Sequence, residues 1–464
     1  MTMDDSGDWA RETFAGAQLG DERRVRRLVA MAAQVARAPA GKVTQVFEAS
    51  AAREGAFRWL ESPAVPEGAV AEAVFKATAR SCSGCSVVYV AVDGSSLTLS
   101  DRAKRRELGR VGGRFVTRGL HVMSALAVDQ RGAALGLLDQ QWWARSEQPK
   151  RKPGERGQKC LGKKYLDRET RYWLQSLADT QHRLETHGDG CRAWYQLDRG
   201  ADCWPVFDFA IKEKLLITVR ATHDRRLVSQ DGRRNYLHAT LKKRPVLGHY
   251  AVEMPVRPHR PARTARIALR SCRVSISARV GSNRRQTFVL NAVLAEEVGR
   301  KGRDRLQWFL LTTAPVTTFE QARAVALGYT FRWRVEEFHR TWKRGLCRVE
   351  DTQLQSRSAL IKWATILAAV AARALRLAQI LRTTPDIPAT DEFTEYEIDA
   401  AFILAKRKRD PRQQLRFAEV VELIADLGGF AHKYSGSKPG PTVLGRGLER
   451  VKIMALGLKN MEEM

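Results

Sequence analysis

The 464 residues include only seven cysteines, an odd number with no pairing pattern. That excludes a disulfide framework and points to a reducing compartment. Cys82 and Cys85 stand at Cys-x2-Cys spacing, but no second pair follows at zinc-ribbon distance, and Cys160, Cys191, Cys203, Cys272 and Cys347 are isolated. Nor do the nine histidines form a His-x3-His pair, which removes the helix-borne histidine metal site. Long apolar runs are also missing. The best candidate, WATILAAVAARALRL, carries Arg373 and Arg376 and follows Lys362, so it falls short of the ~20 apolar residues of a membrane span and reads as a buried amphipathic helix. The start, MTMDDSGDWA, is acidic and polar, so no signal peptide is expected and the expected location is cytoplasmic. Long repeats and extended low-complexity tracts are lacking too. Acids are scarce relative to bases: 51 Asp and Glu face 79 Lys and Arg, for a net charge of +28. Such a balance calls for a polyanionic partner. The length fits two to four domains, and an apolar content of 44% is ample for a core.

The stretch YTFRWRVEEFHRTWK at 329–343 sets Tyr329, Arg332, Glu336 and Lys343 at offsets of three, four and seven residues. On a helix these offsets fall close to one face, so a phenol, a guanidinium, a carboxylate and an ammonium share a stripe. A carboxylate that holds a divalent ion beside three groups that grip phosphate suits phosphodiester chemistry. The same spacing also describes a solvated helix with i,i+4 ion pairs.

Two further acids bear on that choice. SVVYVAVDGSS is an apolar, β-branched run that ends on Asp93, and CRAWYQLDRGADCW delivers Asp198 after a shorter run. Both read as buried strands closed by an acid. Taken singly, each is better read as a turn or cap aspartate. Taken with Glu336, they make a set of three carboxylates suited to Mg²⁺ or Mn²⁺.

With these residues in place the chain resembles bacterial cut-and-paste transposases of the insertion-sequence-four group, relatives of the transposon-five transposase. The group's signature, Tyr-x2-Arg-x3-Glu-x6-Lys, falls without a gap on Tyr329, Arg332, Glu336 and Lys343. Similarity extends through DWARETFAGAQLGDERR, REGAFRWL, GLLDQQWWAR, LNAVLAEE, LQWFLLTTAPV and the late LGGF. One departure is Gly200, where relatives often carry Glu. It removes a neighbouring contact and leaves Asp198 in place. The resemblance implies that Asp93, Asp198 and Glu336 bind two divalent ions. Arg332, Lys343 and Tyr329 would contact backbone phosphates, and Trp308 would stack on a flipped base, with Arg220 and Trp333 as further DNA contacts. It also implies cleavage through a terminal hairpin and a homodimer bridging both transposon ends. His339 reads as a DNA contact or a support for the ligands.

The expected fold is α/β. Residues 1–70 read as a helical DNA-end-binding domain: Asp21 caps ERRVRRLVAMAAQVA, Ser50 caps AAREGAFRWL, and Arg23, Arg24, Arg26 and Arg27 form a basic face. Residues 71–375 then give strand, a hairpin turning at 129–132, helix, strand, helix, strand, the mixed sheet of an RNase H-like core. The basic connection around 145–164 lies inside this core, and a β-rich insertion spans about 225–315. Residues 376–464 are expected to be helical and, from the resemblance, to dimerise, with Val420, Val421, Leu423, Ile424 and Leu427 as the contact face. The expected activity is therefore that of a DNA transposase acting on double-stranded transposon ends and target DNA. Another RNase H-like nuclease or resolvase, which needs the acids alone, and a non-catalytic DNA-binding derivative are the alternatives.

Overall fold

The structure is a computed structural model describing residues 5–101, 107–112, 117–145, 169–228, 234–254, 263–280, 284–300, 302, 304–410, 412–431 and 438–462. The basic connection expected around 145–164, with Cys160, falls almost wholly outside them.

Five helices come first: α1 (Asp5–Phe14), α2 (Glu22–Arg37), α3 (Val43–Val46), α4 (Ser50–Glu61) and α5 (Glu67–Ser81). Asp21 caps α2 by accepting the Arg23 N–H at 2.8 Å, which satisfies one of the orphan donors of the first turn. Ser50 does not cap α4. It is the first helical residue, and Ala49 holds the cap position without a side-chain bond.

The strands are β1 (Val87–Leu99), β2 (Gly109–Val111), β3 (Thr117–Val128), β4 (Ala134–Trp143), β5 (Arg192–Leu197), β6 (Leu216–Arg220), β7 (Gly248–Met254), β8 (Arg263–Val280), β9 (Arg284–Glu297) and β10 (Gln307–Thr312). They form one mixed sheet in the order β2-β3-β1-β5-β6-β10-β9-β8-β7, with β4 beside β3. The β3–β4 hairpin turns where expected. Asp129 Oδ1 accepts the N–H groups of Arg131 and Ala133 at 2.9 and 2.8 Å. β1 pairs antiparallel with β3 and parallel with β5, and β5 pairs parallel with β6. The β-rich segment expected as an insertion prolongs this same sheet, because β10 pairs with both β6 and β9.

The central strands of the sheet are buried on both faces, while β7 and the outer part of β9 expose alternate residues. α6 (Thr170–His187), α7 (Trp204–Lys212) and α8 (Leu237–Lys242) pack on one face. On the other lie α9 (Phe319–Phe331), α10 (Trp333–Lys343), α11 (Arg357–Thr383) and the N-terminal helices. Strand alternation divides the side chains: Val88, Val90 and Val92 enter the first core, whereas Tyr89, Ala91 and Trp194 face α9–α11. By length and composition α11 is a candidate membrane span. However, 89% of its most apolar window is buried inside the protein, as the reading of a core helix anticipates. The boundary expected at 375/376 falls within this helix.

The C-terminal helices α12 (Glu395–Leu404), α13 (Phe417–Leu427) and α14 (Pro441–Glu462) build a third core with Leu377 and Leu381 of α11. This corrects the expected dimer face. Val420, Val421, Leu423 and Ile424 are buried within the chain, and Leu427 packs against the same core. α13 does carry an apolar side, but α12 and α14 cover it.

Candidate functional site

β1 does not stop at Asp93. It continues six residues to Leu99, paired with β3 throughout. What ends near Asp93 is the parallel pairing with β5, whose last matched residues are Val92 and Leu197. The next residues along the two strands are Asp93 and Asp198. Parallel strands lie ~4.8 Å apart, so the register sets these aspartates side by side. Alternation aims Asp93, like Tyr89 and Ala91 before it, toward α9 and α10.

The stripe Tyr329–Lys343 is not one continuous helix. α9 ends at Phe331 and α10 begins at Trp333, with Arg332 at the joint (φ −53°, ψ −31°). The main-chain bonds tighten there to i,i+3: the Arg332 N–H donates to Tyr329 C=O at 3.2 Å, and the Val335 N–H to Arg332 C=O at 3.3 Å. Such a tightened turn often marks a functional joint. The guanidinium lies between two of the acids. Nη2 donates to Glu336 Oε1 at 2.8 Å, and Nη1 lies 3.4 Å from Asp93 Oδ2. Asp93 also accepts its neighbour Gly94 N–H at 2.8 Å, and Asp198 accepts the Gly200 N–H at 2.7 Å. Burial, then the neighbouring Asp198, push the Asp93 carboxyl up to about 7 against the pull of Arg332, and Glu336 adds to the push. The three acids therefore occupy one electrostatic site. Among the described residues, however, no three His, Cys, Asp or Glu side chains are grouped closely enough to hold a metal ion. Asp93 and Glu336 are instead bridged by Arg332.

Gly200 opens this site further. A Cβ there would sit 3.0 Å from Asp198 Oδ1 and 3.4 Å from Trp173 Cζ2, so a side chain at that position crowds the aspartate.

On one side of the acids lies an aromatic group. Tyr329 is 5% exposed, and its ring meets Trp308 edge-on at 5.8 Å. Burial raises the phenol pKa, while Arg332 and Arg220 pull it down. Tyr329 thus supports Trp308 and Arg332 and presents little surface of its own. Trp333 is 47% exposed beside the joint, with the Arg332 guanidinium carbon 5.5 Å from its ring centre. On the other side Lys343 donates to Ser95 Oγ at 3.3 Å and lies 3.7 Å from Glu350. Ser95 and Glu350 lie outside the signature. Only the acid soon after its lysine signals the latter in the sequence.

His339 belongs beneath the site. It is buried, with Nε2 3.1 Å from Ser124 Oγ, and burial pushes its pKa down to about 3. A neutral ring packed against Phe338 and Trp342 does not reach DNA. The N-terminal arginines divide. Arg24 donates to the carbonyls of Leu19 and Ala64 and Arg27 to that of Ala52, whereas Arg23 and Arg26 are exposed. Only the latter two present a basic surface; the former pair hold the N-terminal helices together.

A cavity of about 800 Å³ lined by Trp9, Thr78, Arg373 and Arg376 touches none of the three acids.

Residues 6–65 match the family model for transposase DNA-binding, and residues 369–462 match that for the transposase Tn5 dimerisation domain. Among solved structures, the cryo-EM structure of the piggyBac transposase synaptic complex with hairpin DNA has a TM-score of 0.37 and 10% identity, covering 82% of this chain and 76% of that one. The chain thus carries, one near each end, segments similar to the DNA-binding and dimerisation domains of Tn5-like transposases.

Proposed function

We propose that the chain is a metal-dependent DNA transposase of the insertion-sequence-four type. In this reading Asp93, Asp198 and Glu336 cleave transposon ends and join them to target DNA. One observation carries the reading: the Val92–Leu197 register sets two aspartates side by side below a helix whose glutamate shares an arginine with one of them. The order β4-β3-β1-β5-β6, antiparallel in its first joins and parallel in its last, supports an RNase H-like core. The match at 6–65 supports binding of double-stranded end DNA, and that at 369–462 a homodimer holding two ends.

The donors fit Mg²⁺ or Mn²⁺ in chemistry, being hard carboxylate oxygens. The mutual repulsion that raises Asp93 is what a divalent cation relieves. Their spacing fits only once Arg332 leaves the gap between Asp93 and Glu336. When bound, two ions supply activation of the attacking oxygen and stabilisation of the leaving one. Arg332 exchanges its carboxylates for a backbone phosphate, and Lys343 neutralises another. Trp308, propped by Tyr329, takes up an extruded base while a terminal hairpin forms and opens, with Trp333 and Arg220 lining the same path. Arg23 and Arg26 contribute phosphate contacts from the N-terminal helices.

The test is Mg²⁺-dependent nicking of the inverted-repeat DNA flanking the coding region. Glu336→Gln should abolish nicking and keep end binding within about twofold, since α10 loses only a charge. Glu337→Gln is the control, because Glu337 pairs instead with Arg334 at 2.9 Å and accepts from Gln379 at 3.2 Å. Nicking retained by Glu336→Gln removes that residue from the catalytic set.

A further inference from the structure

Lys343 ends α10 on a flexible four-carbon stem, and a lysine placed that way ordinarily sweeps a wide arc. Here it is half-buried and held. Its ammonium donates to Ser95 Oγ at 3.3 Å, and Glu350 Oε1 lies 3.7 Å away. Ser95 follows Asp93 by two residues on the same strand, so alternation puts both side chains on one face, ~7 Å apart. Glu350 sits on the 3₁₀ turn Val349–Asp351, directly after Arg348, whose φ of 48° is left-handed. A non-glycine residue adopts that conformation only where its surroundings enforce it. The reversal brings the turn back against β1. There Glu350 Oε1 accepts the Thr98 N–H at 2.8 Å, and Oε2 receives Arg344 Nε at 3.2 Å. The carboxylate is 11% exposed and Arg344 80% exposed, so the outer oxygen faces a solvated cation while the inner one faces Lys343.

We propose that Glu350 is a positioning residue, held by the main chain of β1, that keeps the Lys343 ammonium on the face carrying Asp93, where it neutralises a phosphate next to the bond being cut. The inference rests on the transposase reading above and adds a residue outside the signature to it. A carboxylate anchored by a main-chain N–H cannot follow a moving lysine. It defines where the ammonium rests before DNA arrives, and catalysis is sensitive to placement on the ångström scale. The competing role is that Glu350 merely staples the turn to β1, which would affect stability but leave Lys343 uncoupled.

A double-mutant cycle separates the two. Single-turnover nicking of end DNA in Mg²⁺ is measured for the wild type, Glu350→Gln, Lys343→Ala and the double variant, with end binding and Tm in parallel. Glutamine still accepts the Thr98 N–H but carries no charge. Glu350→Gln should slow nicking about tenfold or more with binding within about twofold, and in the Lys343→Ala background it should cost less than about twofold. Losses that multiply, or a Glu350→Gln protein that nicks at the wild-type rate, overturn the proposal. If Glu350→Gln fails to fold, Ser95→Ala takes its place, since it removes the other anchor of Lys343 and leaves the staple intact. Its loss should likewise vanish in the Lys343→Ala background, and a loss that persists there counts against the proposal. A wild type that does not nick in Mg²⁺ or Mn²⁺ defeats the cleavage reading itself, whereas multiplied losses on an active wild type defeat only the role of Glu350.

Discussion

Asp93→Asn should stabilise the metal-free protein while removing its activity. The Asp93 carboxyl is pushed from 3.8 up to about 7 by burial and by Asp198, with Glu336 adding to the push. A rise of roughly three units at 1.36 kcal/mol each means that holding Asp93 ionised in the folded chain costs up to about 4 kcal/mol at pH 8. Asparagine escapes that cost, and its carbonyl oxygen can still accept the Gly94 N–H. The pull of Arg332, which keeps its 2.8 Å bond to Glu336, is already inside that figure, and what offsets the gain is the cost of burying the asparagine amide. A net gain of about 1–3 kcal/mol remains, or a Tm higher by a few degrees. The pH dependence has a definite sign. Because the folded carboxyl is the weaker acid, the folded state binds more protons than the unfolded one between about pH 4 and 7. The penalty is therefore absent below that window, grows through it and is complete above it. The advantage of Asp93→Asn in EDTA should be largest at pH 8 and shrink to less than half at pH 5. Added Mg²⁺ alone should move neither Tm appreciably, because Arg332 fills the gap between Asp93 and Glu336; with end DNA present it should raise the Tm of the wild type and leave the variant unmoved, because only the former then gains a metal-bound state. An Asp93→Asn protein no more stable than wild type at pH 8 without metal, or one whose advantage grows toward acid, refutes the shared-charge account of the site.

Gly132→Ala should disturb the joint at Arg332 from outside the signature. Gly132 has φ +87°, a Cβ there would meet Phe331 Cε1 at 2.8 Å, and its carbonyl accepts Arg334 Nε at 2.9 Å. The expected result is about 2 kcal/mol of destabilisation together with slower nicking, read from Tm and single-turnover rates; an unchanged Tm would mean that the turn yields freely. For the dimer, removing everything after Leu381 is the wrong perturbation, since it strips the cover from Leu377 and Leu381. Point changes on the outer face serve better: Ile453 and Met461 on α14 are 59% and 72% exposed and Ile403 on α12 is 46% exposed. Ile453→Asp with Met461→Asp should leave Tm nearly unchanged and weaken the two-end complex about tenfold on a native gel; undiminished pairing of ends would place the contact elsewhere.

What was legible in the sequence followed from local rules. The apolar run before Asp93 and the shorter one before Asp198 form strands because β-branched and aromatic residues suit a pleated, buried surface. Asp21 caps α2 because its side chain reaches the orphan N–H groups of the first turn. The illegible parts depend on residues distant in the chain. Nothing near Arg332 announces that the helix tightens there, since the nearer of its two carboxylate partners is Glu336 and the other, Asp93, lies 239 residues earlier. The apolar side of α13 has the same sequence pattern whether a second copy or α14 covers it. The four N-terminal arginines look alike in the sequence, and only the packing of α2 against α4 and the loop after it directs Arg24 and Arg27 to carbonyl oxygens.

Arg332 itself is where sequence and structure together say more than either alone. The resemblance assigns it to phosphate, yet in the DNA-free chain it neutralises Asp93 and Glu336, two of the three acids assigned to metal. A guanidinium and a divalent ion cannot both occupy the gap between those carboxylates. The free protein therefore stores its acids as ion pairs, and an approaching backbone phosphate offers Arg332 a bidentate partner of comparable strength. Once the arginine turns to phosphate, Asp93 keeps the burial and the repulsion from Asp198 and Glu336 that push it up and loses the pull of Arg332 against them, so the acids' affinity for a cation rises. By linkage, bound metal must raise the affinity for DNA by the same factor. On the metal-dependent reading proposed above, a site built this way would hold metal poorly until its substrate is present, which would suit a chain with a net charge of +28 that meets much DNA it should leave uncut.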